Sequence, residues 1–150
     1  MNINTKISPE PITVIFQRKI KLMRTEINTI SKKIYDKIDK CLIKEDISDI
    51  ENINGNKKNA PRACKGGYSV YILYSQKDDV LYVGETAVSV KSRCFGDGSG
   101  AHKHKSWFKQ VSYVKHYTKN TEQELNKKER KLIEQALSIN LKPANYGKSS

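Results

Sequence analysis

The chain has 150 residues and a formal net charge of +12 at pH 7. Hydrophobic residues make up 37% of it and charged residues 29%, a balance that indicates a folded domain and excludes a disordered chain. No apolar run approaches the roughly 20 residues of a membrane span, and the first residues lack an apolar secretory signal, so we expect a cytoplasmic protein without a membrane partner. The positive charge favours nucleic acid as a partner, because neutralising phosphates releases counterions.

Three cysteines are widely spaced and form no Cys-x-x-Cys pair. An odd number with this spacing indicates neither a disulfide framework nor a zinc cluster. We expect reduced thiols that are buried as small apolar side chains, at Cys41, Cys64 and Cys94.

A single long helix is predicted over residues 12–44, directly after Pro11. Apolar side chains recur in it at alternating steps of four and three residues, interrupted only at Lys37. They are Phe16, Ile20, Met23, Ile27, Ile30, Ile34 and Cys41. This heptad pattern leaves two interpretations: a coiled coil that joins two subunits as a homodimer, and a helix that lies on its own domain. The second is favoured, because further apolar residues widen the stripe. Residues 1–50 are assigned to this N-terminal helical region.

The composition changes at residues 51–65, where Asn54-Gly55 and Pro61 indicate a connector. Residues 68–75 and 80–83 are rich in β-branched and aromatic side chains. The four residues between these two runs predict the turn of a β-hairpin.

Three further elements are predicted after the hairpin. Ser89 is expected to cap a short helix that contains Arg93. Residues 96–100 form a glycine-rich loop, and the alternation of apolar and polar residues over 111–117 predicts a third strand.

The last predicted element is a helix that opens with a capping box at Thr121 and Glu124 and runs to Asn140, just before a proline. In that helix the apolar residues gather on one side; they are Leu125, Leu132, Ile133, Ala136 and Ile139. With 3.6 residues per turn, Glu129 falls within this buried side and Glu134 points to solvent. A buried carboxylate needs an ion pair or a metal ion.

The hairpin contains two tripeptides, Ser69-Val70-Tyr71 and Tyr82-Val83-Gly84. Further along the chain come Arg93, then Glu129-Arg130-Lys131-Leu132-Ile133, and finally Pro143-Ala144-Asn145. This ordered set resembles the GIY-YIG nuclease superfamily over residues 66–146, and most closely its small stand-alone restriction-endonuclease members. In this sequence Ser69 replaces the first glycine of the signature. The resemblance implies a GIY-YIG core that hydrolyses DNA phosphodiester bonds.

The resemblance also implies a role for each matched residue. Glu129 would hold Mg²⁺ or Mn²⁺, since hard oxygen ligands suit these ions. Arg93 would hold the scissile phosphate through its guanidinium. Tyr71 would deprotonate the attacking water, and Tyr82 would orient the water or the phosphate. Asn145 would be the last residue of the family pattern, the asparagine that follows a proline.

A histidine often assists in this family, and His102 and His104 follow the glycine-rich loop. Basic and aromatic residues nearby suit contacts with the DNA backbone and base stacking. The expected DNA-binding residues are Lys91, Lys103, Lys105 and Trp107.

Together these observations predict an α/β (α+β) fold, with a small antiparallel sheet flanked by helices, and a nuclease domain at residues 66–150 after the long N-terminal helix. The predicted function is a divalent-metal-dependent DNA endonuclease of the restriction type. The alternatives are a structure-specific repair or recombination nuclease, a non-catalytic nucleic-acid-binding module on the same fold, and an interaction protein whose long helix binds a partner.

Overall fold

The computed structural model describes residues 11–145, so the outer ends of the predicted regions 1–50 and 66–150 lie outside it. The fold is α+β, with four antiparallel strands in the order β1-β4-β2-β3. The strands are β1 (Ile43–Asp46), β2 (Tyr68–Ser75), β3 (Val80–Thr86) and β4 (Val111–Lys119). The helices are α1 (Ile12–Asp39), α2 (Ile47–Asn52), α3 (Val90–Phe95) and α4 (Lys127–Leu141), with 3-10 turns at 62–64, 102–104 and 108–110.

Strand β2 is the core of the sheet, because both of its faces are covered. Tyr71 and Leu73 belong to an apolar cluster on the side of α2 and α3. Val70 and Ile72 belong to a second cluster, on the side of α1 and α4. A strand buried on both faces has a continuous apolar sequence rather than an alternating one, which explains the run of residues 70–74.

The predicted hairpin, third strand and short helix are confirmed. β2 and β3 pair directly, and β4 covers the predicted residues 111–117. At the start of α3, the Ser92 backbone N–H donates to Ser89 Oγ at 3.0 Å, which is the predicted cap.

The prediction that one helix continues to Lys44 was wrong. α1 ends at Asp39, and residues 43–46 form β1, which pairs with β4. The Glu45 carboxylate accepts hydrogen bonds from two backbone N–H groups of the 62–64 turn at 2.7 and 2.9 Å, and its Oε1 lies 2.6 Å from His116 Nε2. Because these partners are distant in sequence, a local pattern does not predict the strand.

The predicted start of the last helix was also wrong. Thr121 and Glu124 do bond to each other, but they form a separate turn. α4 begins at Lys127 and is opened by a capping box between Asn126 and Glu129. Leu125 is therefore not part of the helix. Leu132 and Ile139, which were assigned to its buried side, are 52% and 38% exposed, whereas Leu137 is fully buried.

Helix α1 has two different halves. Near its C-terminal end it packs on α4, and Ile34, Tyr35 and Ile38 join the second cluster. Between Ile12 and Ile30 its large apolar side chains are 38 to 74% exposed; they are Ile12, Val14, Ile15, Phe16, Ile20, Leu22, Met23, Ile27 and Ile30. The interpretation of α1 as a helix on its own domain therefore holds only for the C-terminal half.

The cysteines are all free thiols, as predicted. Cys94 is buried and Cys64 is half-buried, but Cys41 is exposed, so the prediction of burial was wrong for Cys41. Within residues 11–145, none of the helices combines the length and the apolar composition that crossing a bilayer requires.

Candidate active site

Two tyrosines from neighbouring strands form the centre of the candidate site. Tyr71 on β2 lies opposite Gly84 on β3, and its ring centroid is 6.2 Å from that of Tyr82. A Cβ atom at Gly84 would lie 2.7 Å from Tyr71 Oη and 2.7 Å from Tyr82 Cε2. Gly84 is therefore required for the two phenols to come this close.

His102 joins the pair of tyrosines from the 3-10 turn at 102–104. Its Nε2 atom lies 2.6 Å from Tyr71 Oη, and its ring centroid lies 4.5 Å from that of Tyr82. The side chain is almost fully enclosed, at 3% exposure. His102 is thus a buried imidazole with a phenol as its hydrogen-bond partner.

Burial holds both members of the Tyr71–His102 pair in their neutral forms. It lowers the pKa of His102 to about 4, and the charges of Arg93 and Lys105 act in the same direction. It also raises the pKa of Tyr71 well above the ordinary value. At pH 7 one neutral group donates and the other accepts, and the imidazole tautomer decides which.

Arg93 on α3 places a cation beside both phenols. Burial disfavours its charge, but electrostatic interactions with Tyr71 and Tyr82 keep the pKa of the guanidinium above its usual value. The side chain is half-buried, so it stays open to a ligand.

Glu134 on α4 is a half-buried carboxylate whose charge acts on Tyr82. Burial raises its pKa, an effect that Lys131 opposes and Glu85 reinforces. The charge of Glu134 in turn contributes to the raised pKa of Tyr82, whose first cause is burial. Lys131 Nζ lies 3.6 Å from Glu134 and 3.4 Å from Glu85. Glu134 was predicted to point to solvent, and that prediction was wrong.

Glu129 is not buried, so the prediction of its burial was wrong. Its side chain is exposed and accepts a hydrogen bond from the Asn126 backbone N–H at 3.4 Å, while Asn126 Oδ1 accepts from the Glu129 backbone N–H at 2.9 Å. The adjacent buried position belongs to Arg130, which pairs with Glu85 at 2.8 Å and Glu122 at 3.0 Å.

The sequence did contain a signal for the correct start of this helix. Asn126-Lys127-Lys128-Glu129 is itself a capping-box pattern, and the helix that starts there buries Arg130, Ile133 and Leu137. Glu129 belongs to the first turn, where its side chain folds back to the Asn126 N–H and stays exposed, whereas Glu134 is half-buried.

Trp107 is a core residue, so the expectation that it stacks on a nucleic-acid base was wrong. Its ring is 6% exposed and stacks on Tyr82, with centroids 5.5 Å apart. Its Nε1 atom is buried and lacks a hydrogen-bond partner within the described part of the chain. Trp107 therefore supports Tyr82 from behind.

The remaining predicted residues surround the site at different distances. His104 is exposed, unlike His102. Lys91 Nζ donates to the Ile53 carbonyl at 2.9 Å, and Lys103 Nζ donates to the Phe95 carbonyl at 3.2 Å. Lys105 is half-buried and acts electrostatically on His102.

Asn145 ties the end of the described chain to β3. Its backbone N–H and its side-chain Nδ2 both donate to the Leu81 carbonyl, at 3.0 and 3.1 Å. Leu81 directly precedes Tyr82, so Asn145 fixes the backbone from which Tyr82 projects.

The donor set suits a hard divalent cation that keeps most of its water. Among residues 11–145 there is no cluster of three or more His, Cys, Asp or Glu side chains that could enclose a metal ion. Mg²⁺ commonly binds through one or two carboxylates together with waters and substrate phosphates. Glu134, half-buried and already accompanied by one cation, fits this mode.

Five elements of the fold thus contribute two phenols, an imidazole, a guanidinium and a carboxylate to this region. No family model, curated protein or solved structure matches the chain. The case for a function therefore rests on the chemistry of this cluster and on the sequence motifs that supply it.

Proposed function

We propose that the chain is a divalent-metal-dependent DNA endonuclease with a GIY-YIG catalytic core. The observation that carries the proposal is the hydrogen-bonded Tyr71–His102 pair at 2.6 Å, with Tyr82 and Arg93 beside it. The positions of Tyr71 and Tyr82 on adjacent antiparallel strands also support it.

Arg93 is assigned to bind the scissile phosphate. A guanidinium is always charged and offers paired donors that match two phosphate oxygens. Its partial burial keeps the interaction strong, because a phosphate that binds there displaces water.

Glu134 would hold Mg²⁺ or Mn²⁺, in place of the Glu129 predicted from sequence. When bound, the ion would neutralise charge on the phosphate during hydrolysis. Lys131 would keep the Glu134 carboxylate oriented before the ion binds.

The Tyr71–His102 pair is assigned to proton transfer. The raised pKa of Tyr71 rules out a free tyrosinate at neutral pH, so Tyr71 acts as a base only if its own proton leaves as it accepts another. In the step we propose, a water proton passes to Tyr71 Oη and the Tyr71 proton passes to His102 Nε2. The water oxygen forms a bond to phosphorus as one P–O ester bond breaks, and the leaving oxygen takes up a proton from solvent. The proton on His102 Nε2 then passes to solvent, which restores the neutral pair. Tyr82, which is partly exposed, orients the water or the phosphate.

The restriction type remains the favoured class. Cutting of both strands requires two sites, and the exposed apolar half of α1 suits the pairing of two subunits. Repair or recombination nucleases act on branched DNA, so the choice of substrate distinguishes the two classes.

The test is cleavage of supercoiled plasmid by the purified chain with Mg²⁺, with Mn²⁺ and with EDTA. We expect metal-dependent cutting that falls at least about 100-fold in Glu134→Gln and persists in the matched control Glu129→Gln. Loss of activity in Glu129→Gln alone would contradict the assignment of the carboxylate. If branched DNA is cut but plasmid is not, the function is repair rather than restriction. Metal-independent DNA binding without cleavage of either substrate would identify a non-catalytic module.

A further inference from the structure

The α1 arm (residues 12–30) carries an apolar surface that the rest of the described chain leaves uncovered. Five of its side chains recur at steps of four and three residues and are 42 to 63% exposed: Phe16, Ile20, Met23, Ile27 and Ile30. The first buried residue of α1 is Ser31, where the helix meets its own domain. A helix with a free apolar stripe is stabilised mainly by packing against another surface.

We propose that the α1 arm pairs with the same arm of a second copy, and that the two arms run antiparallel. In the proposed register the two-fold axis passes between Lys21 and Leu22. Ile20 then lies opposite Met23 of the second copy, and Phe16 lies opposite Ile27 of the second copy. The stripe residues fall into two sets, one with Ile20 and Ile27 and the other with Phe16, Met23 and Ile30. Each of these layers contains one residue from each set, as antiparallel knobs-into-holes packing requires.

The charges beside the stripe select this orientation. Lys19 and Glu26 are exposed and lie on the same flank, seven residues apart. In the antiparallel register Lys19 faces Glu26 of the second copy, and symmetry repeats this attraction. In a parallel, in-register pair Lys19 would instead face Arg24 of the second copy, and like charges in these flanking positions disfavour pairing.

The length of the arm fits the same register. With this axis, residue 12 lies opposite residue 31 of the second copy, so the overlap covers the exposed segment and stops where α1 reaches its own domain. At 1.5 Å per residue the paired arms span about 28 Å. The two sheet domains, each with its own Tyr71 site, would lie at opposite ends of this rod.

The first experiment is sedimentation of the full chain without DNA over a range of concentrations. We expect a reversible dimer, whose dissociation constant rises at least about 100-fold in Ile20→Glu, because each dimer would bury two unpaired carboxylates. The matched control is Leu22→Glu, which removes an exposed apolar side chain outside the stripe and should leave the dimer intact. Circular dichroism of both variants verifies that the sheet domain stays folded.

The second experiment tests the orientation by disulfide trapping in a Cys41→Ser background. A mixture of Phe16→Cys and Ile27→Cys chains should form a cross-linked heterodimer. Phe16→Cys alone should not cross-link, because the two Cα atoms would be about 16 Å apart. Cross-linking by Phe16→Cys alone would establish a parallel pair and overturn the proposed register.

Two other occupants of the stripe are outcomes of the same tests. A monomer at all concentrations that binds anionic vesicles through the stripe would identify a membrane surface as the partner. A monomer whose Ile20→Glu variant loses DNA binding would identify DNA. Either result would overturn the proposal and remove the support for the restriction class, whereas hydrolysis of DNA itself is measured separately by plasmid cleavage.

Discussion

His102 and His116 are both buried beside the same sheet, but their surroundings differ. His116 is held on both ring nitrogens, by the Glu45 carboxylate at 2.6 Å and by the Thr118 hydroxyl at 2.7 Å. Thr118 in turn bonds to Ser69 at 2.6 Å. His102 has a neutral phenol as its partner, and the cation Arg93 lies near it. We term the region around His116 the polar network (Glu45, Ser69, His116 and Thr118). Its side chains are hydrogen-bonded to one another, as is typical of a structural element.

The difference separates a structural region from the candidate site. In the polar network every charge has a partner. Burial would raise the pKa of Glu45, but the hydrogen bonds from His116 and from two backbone N–H groups outweigh burial, and the pKa is lowered. In the candidate site burial dominates, so the pKa of Tyr71 and that of Glu134 are raised and the pKa of His102 is lowered. Groups held away from their ordinary protonation behaviour are typical of functional sites.

The largest expected effect is on the reaction, from Tyr71→Phe. The substitution removes one hydroxyl and keeps the ring, so we expect DNA cleavage to fall about 100- to 1,000-fold, while loss of the buried hydrogen bond to His102 lowers the free energy of unfolding by only about 1 to 2 kcal/mol. Plasmid cleavage and calorimetry measure the two quantities. An active Tyr71→Phe variant would show that the proton passes through another group.

Glu45→Gln should have the reverse profile. A neutral amide cannot pair with His116 as a carboxylate does, so we expect a loss of about 3 kcal/mol in the free energy of unfolding. Cleavage below the melting temperature should be unchanged, because Glu45 does not contact the tyrosines. Urea denaturation gives the free energy, and an unchanged midpoint would mean that the polar network contributes little stability.

The pH dependence of stability offers a narrower test of His102. Its pKa is lower in the folded chain, about 4, than in the unfolded chain, about 6.5. The unfolded chain therefore binds the proton first, and stability that is present above pH 6.5 is lost as the pH falls toward 4. We expect a loss of about 2 kcal/mol between pH 7 and pH 5. This loss of stability should be smaller in His102→Gln. If stability falls equally with pH in that variant, the loss comes from a group other than His102.

Trp107→Phe should have the smallest effect. The substitution removes the buried Nε1–H that lacks a partner, and this change stabilises the fold. It also removes ring area from the stack on Tyr82, and this change destabilises the fold. We expect the two to offset to within about 1 kcal/mol in denaturant titration. A much larger loss would show that Nε1 makes a bond through a water or a ligand.

Much of the fold could be predicted, because its signals are local. The hairpin, the β4 strand and the Ser89 cap each depend on neighbouring residues, and each was confirmed. The motifs also led to Tyr71, Tyr82, Arg93 and His102, which the structure brings together. Strand β1 escaped prediction because its partner, β4, lies about 70 residues further along the chain.

The choice between Glu129 and Glu134 shows where local reasoning failed. The observed cap, Asn126, lies five residues after the predicted one, and the predicted buried side included Leu132 and Ile139, which are 52% and 38% exposed. Two capping patterns compete in residues 121–129, and packing of Arg130 against Glu85 and Glu122 accompanies the second. Propensity alone cannot rank them.

By itself the sequence determined the class of fold, the positive charge and the identity of most cluster residues, because these depend on periodicity, composition and order along the chain. Only the tertiary structure decided which glutamate faces the tyrosines, that Trp107 is buried, and that α1 is half packed and half exposed. Burial and electrostatic environment depend on contacts between residues far apart in sequence, and only the folded chain brings those residues together.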